Sequence, residues 1–367
     1  MTTDEQGYAR LPEDLLHGLL SEAGPITDTV AGMLASSIEH RDQLRRGLSD
    51  LGLLRRFNTT TPSPVAAVDG GFAIERTLAV DLLLSVAVGV EGLGAETRWD
   101  SNQYRWWARA LPHQIESERL ARGLMVAQEL AILSEAPHEL RILDGSHLTL
   151  VIQLNAALTT QSQEIRALAR DEWAGLRTIE SLAHAATDPS LIAMPKYDSS
   201  DELARRLSKE TGVALAGDDK YLLGMLLDAG ELVEPQRVPD QPWQQLHFDA
   251  RPGDEDLEEA LAKAIQPLVR RELWFTYFKP DDASPAYRIE MKEDAVHDLD
   301  RICSTLADQI TGPFVREPYP QYLADVMAKS VGFGLSALQA AVQYRLSSGG
   351  QPDIARLLIR SYRTEGT

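Results

Sequence analysis

A single cysteine, Cys303, in 367 residues leaves no internal disulfide framework and no cysteine-based zinc site. It fits a reducing, cytoplasmic setting. No apolar run is long enough to cross a bilayer. The longest, Val80–Leu93, is interrupted by Asp81 and Glu91. Met1–Arg10 is polar and acidic, unlike a signal peptide. Phosphate-cradling glycine loops are missing too. Gly89, Gly92 and Gly94 match neither the P-loop nor the dinucleotide spacing, so no ATP site is expected. There is no Gly-x-Ser-x-Gly nucleophile elbow, and the eight histidines form no His-x-x-x-His zinc helix. Basic residues are scarce: 36 Lys and Arg face 55 Asp and Glu, a net charge of −19. That balance disfavours a nucleic-acid partner, because phosphates call for a basic surface. It still allows a basic channel inside an acidic shell, and a cluster of metal-binding carboxylates would add to the deficit.

The remaining composition, 44% hydrophobic and 25% charged, is that of a globular chain. The length suits one large domain with additions, or two domains. Residues 11 to 56 read as helical, and the Pro- and Thr-rich stretch 58–64 as a loop. Strands are expected at Val65–Thr77, Val80–Val90, Leu140–Asp144 and Leu191–Lys196, and a hairpin at Leu273–Phe278 with Ala286–Met291. Helices are expected at Glu116–Ala136, Ser146–Leu158, Ser162–Ala186 and from Glu293 onward. A capping box, Ser199-x-x-Glu202, opens another that stops at Gly212. Residues 213–260 read as mixed. Strands early and in the middle, with helices between and after, predict a mixed α/β architecture. The order is compatible with an RNase H-like sheet flanked by helices, with helical additions at both ends.

Three places put a charged residue where a strand is expected to end. They are Val68-Asp69-Gly70-Gly71, Leu143-Asp144-Gly145-Ser146 and Met194-Pro195-Lys196. Two acids brought together by a sheet suit a divalent metal that handles phosphates. Each Asp-Gly pair fits an ordinary turn equally well. Glu129 has Met125, Val126, Ile132 and Leu133 three and four positions away, which places it within an apolar stripe. A carboxylate there needs a cation, a proton or an arginine partner. Lys196 is either a solvated strand end or a group that meets a phosphate. Tyr319 and Asp325 follow the turn Glu317-Pro-Tyr-Pro320, where they either cap and pack or line a site. Tyr104–Arg109 places Arg105 and Trp106 where they could stack on bases, although an amphipathic core helix is the plainer reading.

Taken in order, Val-Asp69-Gly-Gly, Glu129, Leu-Asp144-Gly-Ser, Ala-x-Pro-Lys196 and Tyr319-Pro-x-x-Leu-Ala-Asp325 resemble the NurA nuclease family over about residues 60 to 330. The resemblance implies an RNase H-like core in a homodimer. It implies manganese-dependent cleavage of DNA, as a 5′-to-3′ exonuclease and single-strand endonuclease. It also implies a HerA-type hexameric ATPase as partner in DNA end processing. Asp69, Glu129 and Asp144 would be the metal carboxylates, Lys196 the phosphate-contacting lysine and Tyr319 the family tyrosine. Lys196, Tyr319, Arg105 and Trp106 would meet DNA. The family usually carries a histidine where this chain has Asp325. An aspartate can replace it as a manganese ligand, with Mg2+ as the other candidate ion.

The implied layout is a helical segment at 1–60, a nuclease domain at 61–330 with an irregular insertion at 213–260, and a helical tail at 331–367. Two other readings stay open. One is a NurA-like scaffold, weak or inactive in catalysis, that shapes the ATPase exit. The other is a helical adaptor whose acids lie far apart.

Overall fold

The computed structural model describes residues 12–94, 96–101, 103–196, 200–215, 217–238, 248–249, 251–269, 272–312 and 315–359. In chain order it has helices α1 (Glu13–Ser21), α2 (Ala23–Glu39) and α3 (Arg41–Asp50), then strands β1 (Leu54–Arg56), β2 (Val65–Arg76), β3 (Asp81–Glu91) and β4 (Gln103–Leu111). Helix α4 (Ser117–Glu135), strand β5 (Leu140–Asp144), helices α5 (His147–Leu158), α6 (Gln163–Gly175) and α7 (Thr178–Thr187), and strand β6 (Leu191–Met194) follow. Next come α8 (Glu202–Thr211), α9 (Asp219–Leu226), β7 (Glu231–Val233), β8 (Gln236–Arg237), α10 (Glu255–Ala264) and α11 (Gln266–Val269). The chain continues through β9 (Leu273–Lys279), β10 (Tyr287–Lys292), a 3-10 turn at Glu293–Asp298, and α12 (Leu299–Asp308). It ends with α13 (Tyr319–Lys329), α14 (Val331–Ser348) and α15 (Pro352–Arg356). None of the described helices is long and apolar enough to cross a membrane.

Two compact units form: Met1–Leu53 with Ser199–Leu227, and Leu54–Asp198 with Asp228–Thr367. In the helical unit, Leu44 and Leu48 of α3, Leu203 and Leu207 of α8, and Leu222, Leu223 and Leu226 of α9 are buried. Asp219 accepts the backbone N–H groups of Leu203 and Ala204 at 3.1 and 2.8 Å, so the orphan donors of α8 are capped from the next helix. The serine of the expected capping box lies outside the described residues. Gly212 ends α8 in the left-handed conformation, φ 71°.

The larger unit carries a ten-stranded sheet in the order β1-β7-β9-β10-β6-β5-β2-β3-β4, with β8 on β9. β2, β3 and β4 form an antiparallel meander. β5 lies parallel to β2, and β6 parallel to β5. The path β4-β3-β2-β5-β6, with α4 crossing between β4 and β5, is the RNase H-like arrangement expected from the element order. Alternation along the strands divides two cores. Val68, Leu143 and Ala193 face α4. Val65, Ala67, Ile142, Ile192 and Met194 face α12. α4 is apolar on most sides, with Leu120, Leu124 and Leu130 fully buried. Each such side chain contributes about 1.5–3 kcal/mol on burial.

Several local expectations are corrected. Tyr104–Arg109 is not a helix but part of edge strand β4. Trp106 is exposed and Trp107 buried, the period of two that a strand imposes. Aromatic residues suit that half-buried surface. The single helix expected over Ser162–Ala186 is two, broken where Arg177 adopts φ 53°. The helical reading of 11–56 ends early, because Leu54–Arg56 pairs with β7.

Beside β6, Glu290 of β10 anchors the turn after Asp144. Its Oε2 accepts Ser146 Oγ at 2.7 Å and the His147 N–H at 3.3 Å, while Arg288 Nε donates to Oε1 at 3.2 Å. Burial works to raise its carboxyl. Hydrogen bonding from His147, the charge of Arg288 and the bond from Ser146 outweigh burial and hold it at about 2. Burial, with the Lys292 charge, pushes His147 down to about 4. Both folded values lie below the unfolded ones, so the unfolded chain binds more protons in acid. Stability from this pair should therefore be complete above about pH 6.5 and fall as the pH drops toward 2. Glu290→Ala should cost about 3–5 kcal/mol at pH 7, because it breaks a buried charge pair with Arg288 and removes the acceptor of Ser146 Oγ and the His147 N–H. Urea unfolding across pH 3–7.5 checks both; a variant as stable as wild type, with the same pH profile, would contradict this role.

Candidate metal centre

The site is built from three strands and two helices of the larger unit. Val68 and Leu143 are register partners in the parallel pair β2–β5, so the next residues, Asp69 and Asp144, emerge side by side. Both point to the face opposite Val68 and Leu143. β5 ends at Asp144, and Gly145, with φ 116°, turns the chain away. Asp144 is the register partner of Met194, the last residue of β6, and Lys196 follows two residues later. Pro318 and Pro320 set the start of α13, which brings Asp325 to the same face.

Asp69 does not end a strand, contrary to the sequence reading. β2 runs on to Arg76, so Asp69-Gly70-Gly71 lies mid-strand. The two glycines act through the space they leave. A Cβ on Gly70 would overlap Glu129 Oε1 and come within 2.5 Å of Met125 Cγ. A Cβ on Gly71 would overlap the Ala328 carbonyl of α13. One glycine thus admits Glu129 from α4, on one side of the sheet. The other admits α13 on the opposite side.

One carboxylate oxygen from each of Asp69, Asp144 and Asp325 lies within 4.8 Å of the other two. Lys196 Nζ sits 2.8 Å from Asp144 Oδ2, 2.7 Å from Asp325 Oδ1 and 3.3 Å from Glu317 Oε2. Lys329 donates to Asp325 Oδ2 at 2.7 Å. Gln321 Nε2 donates to Asp144 Oδ1 at 2.9 Å and to the Met194 carbonyl at 3.2 Å. Burial and the charge of Asp144, opposed by Lys196, push Asp69 up to about 8. Glu129 is raised well above the carboxyl range by burial and by the charges of Asp69 and Asp144. Burial works against the charge on Lys196, but Asp144, Asp325 and Glu317 hold it well above the usual lysine value. Burial likewise raises Glu317, against the pull of Lys196. For Asp325, bonds from Lys196 and Lys329 outweigh burial and lower it.

The structure thus brings Asp69, Asp144, Lys196 and Asp325 together on one face, while Glu129, expected beside them, meets Gly70 from the α4 side and stands outside the group of converging oxygens. Tyr319 opens α13, half-buried, and its backbone N–H donates to the Gln309 carbonyl at 2.8 Å. No hydrogen bond joins its hydroxyl to the acids among the described residues. Arg105 and Trp106 stand apart from the cluster and from each other. Arg105 pairs with Glu135 of α4 at 2.5 Å. Trp106 is opposite Val86, itself opposite Gly71, so it shares the α13 face about 10 Å from Gly71 across two strands. Sequence reasoning missed Glu317, Gln321 and Lys329. Gln321 carried a usable signal: it lies four residues before Asp325, on the same helical face as Ala324 and Ala328.

Carboxylate oxygens that converge in this way suit a hard divalent cation such as Mn2+ or Mg2+ better than a soft one. The excess of acid over base in the pocket is the charge pattern that such an ion would offset.

No protein-family model matches the chain, and no curated protein does. Solved NurA structures share its fold. The NurA nuclease from Sulfolobus solfataricus aligns with a TM-score of 0.58 at 14% identity, covering 91% of this chain and 98% of that one. A structure of NurA with manganese gives 0.54 at 13% identity, covering 88% and 98%. One of NurA bound to dAMP and manganese gives 0.50 at 12%, covering 83% and 92%. At these identities the shared property is the fold, and the fold of this chain is NurA-like.

Crowded acids should make the metal-free protein less stable than it need be. Ionised Glu129 is disfavoured in the fold relative to the unfolded chain, so at pH 8 folding works against its ionisation. Glu129→Gln should therefore raise stability in EDTA by about 0.5–2 kcal/mol, and Mn2+ should raise the melting temperature of wild type more than that of the variant. Scanning calorimetry with and without Mn2+ reads both. A variant that melts below wild type in EDTA would refute the crowding argument.

Proposed function

We propose that this chain is a divalent-metal-dependent deoxyribonuclease that hydrolyses phosphodiester bonds. The observation that carries the reading is the meeting of Asp69, Asp144 and Asp325 oxygens within 4.8 Å. Their setting, a NurA-like fold, supports it. Manganese and dAMP in the related structures support Mn2+, or Mg2+ in its place, as the ion and DNA as the substrate.

Asp69, Asp144 and Asp325 would hold the ion, with Glu129 behind them. When bound, it supplies a lowered pKa for the attacking water and Lewis-acid polarisation of the scissile phosphate. Burial and the charge of Asp144 raise Asp69, and burial with the charges of Asp69 and Asp144 raises Glu129, so both acids favour their protonated forms and a bound ion would draw those protons off. Lys196, whose ammonium sits on Asp144 and Asp325, then turns its charge toward the phosphate and steadies the transition state. Tyr319 at the head of α13 orients the strand. Trp106, 71% exposed on the α13 face, would offer a stacking surface to bases; Arg105, turned to the α4 face and paired with Glu135, would meet DNA only away from the acids.

In the fuller form of the proposal, the protein acts as a homodimer beside a HerA-type DNA-translocating hexameric ATPase. It trims DNA ends as a 5′-to-3′ exonuclease and a single-strand endonuclease. A second reading has one observation in its favour. The Lys196 ammonium already bridges Asp144 and Asp325 at 2.8 and 2.7 Å, as a cation would. A lysine fixed there would leave a scaffold that shapes the ATPase exit and cuts nothing.

Digestion of labelled single-stranded DNA with Mn2+ separates the two. Wild type should cut, EDTA should stop it, and Asp144→Asn should lower the rate by at least about 100-fold, since the ion loses a charged ligand. Near-normal manganese-dependent cutting by Asp144→Asn would dismiss the site assignment. No cutting by folded wild type, with ATPase binding intact, would favour the scaffold.

A further inference from the structure

The donor to Asp144 from α13 is not one of the charged groups, yet it is among the most buried polar residues of the site. Gln321 is 2% exposed. Its Nε2 reaches two acceptors, Asp144 Oδ1 at 2.9 Å and the Met194 carbonyl at 3.2 Å, which end the parallel strands β5 and β6. These two contacts fix the amide orientation. A flipped side chain would set Oε1 against both oxygens, acceptor facing acceptor. Gln321 Oε1 has no hydrogen-bond partner among the described residues. A buried amide with an unmet acceptor carries a desolvation cost of about 1–3 kcal/mol. For packing alone, an apolar side chain of similar size would avoid that cost.

We propose that Gln321 is a positioning residue that sets the rotation of the Asp144 carboxylate and thereby tunes the affinity of the site for its divalent cation. Asp144 stands beside Asp69 and Asp325, and its carboxylate is free to swing about the terminal torsion unless something holds it. A donor on Oδ1 turns Oδ2 toward Lys196 and the other acids. The tie to Met194 keeps the end of β6, and with it the approach of Lys196, in step with Asp144. Gln321 lies four residues before Asp325 on one face of α13, so a single helix delivers both a carboxylate and the device that aims its neighbour. This inference rests on the metal-dependent reading above and deepens it. The ligand class is a hard divalent cation.

The test uses the full-length protein and Mn2+ binding by calorimetry. Gln321→Met keeps the volume and removes the donor; Gln321→Glu keeps the shape and sets a carboxylate against Asp144. Both should weaken Mn2+ binding by about 10- to 100-fold, the usual effect of losing a partner behind a metal ligand. The rate at saturating DNA should fall while KM for DNA stays near wild type. Circular dichroism and melting temperature establish that the variants are folded. If wild type binds no Mn2+, the metal-dependent reading itself is at fault. If wild type binds it and a folded Gln321→Met binds it equally well, Gln321 is only packing and the positioning role is overturned. Should neither variant fold, Mn2+ titration of Gln321→Asn, which keeps the amide one methylene short, gives the same reading.

Discussion

Repulsion among acids held in a partly dry pocket is the constraint on which this site depends. Two ionised carboxylates 4.8 Å apart repel by about 3.5 kcal/mol at an effective dielectric of 20, and here three meet within that distance with Glu129 behind them. The fold relieves this in three ways. Lys196 places one positive charge against Asp144, Asp325 and Glu317. Burial and neighbouring charge raise Asp69 and Glu129 toward their neutral forms. Gln321 gives Asp144 a neutral donor. None of the three cancels the charge in full, and a pocket left in deficit is a pocket prepared for a cation.

Holding such a site open requires precise backbone geometry, and β2 provides it by omission. Gly70 and Gly71 point to opposite faces of the sheet, and each leaves room for an element that brings an acid. Glu129 arrives from α4 over Gly70; Asp325 arrives on α13, whose last turn lies against Gly71. Glycine in a strand interior weakens it through lost packing and greater chain entropy. Two in succession, in the strand that carries Asp69, are a local sacrifice of stability in favour of close approach.

Much of this was legible in the sequence. Apolar runs placed β2, β3, β5 and the β9–β10 hairpin, because fully buried strands leave a plain hydrophobic signature. The apolar neighbours of Glu129 placed it in a buried stripe, where it is indeed 5% exposed. What was not legible depends on neighbours in space. Asp69-Gly70-Gly71 reads locally as a turn, and only the long pairing with β3 from Ala66 to Arg76 keeps it extended. Tyr104–Arg109 reads locally as an amphipathic helix, and only the free edge of β3 makes it a strand. The helical spacing of Gln321 marked its face, but its role was not legible, since an amide matters here only through the carboxylate that folding sets beside it.

The acidic balance remains to be reconciled with a DNA substrate. The site contributes Asp69, Glu129, Asp144, Glu317 and Asp325, only five of 55 acids, so metal ligands do not account for the net charge of −19. The excess belongs to the surface at large. At long range free DNA therefore meets net repulsion, which salt weakens without turning it into attraction. Under the proposed function, a nuclease with such a surface would need DNA to be brought to it. Delivery by the proposed translocating partner would meet that need, because motor work would replace electrostatic capture and positive charge would then be required only at the bond to be cut. Lys196 and Lys329, both joined to Asp325 at 2.7 Å, would supply that charge beside the acids. The scarcity of basic residues, which at first sight argues against nucleic acid, is in this light compatible with a nuclease that binds DNA only in company.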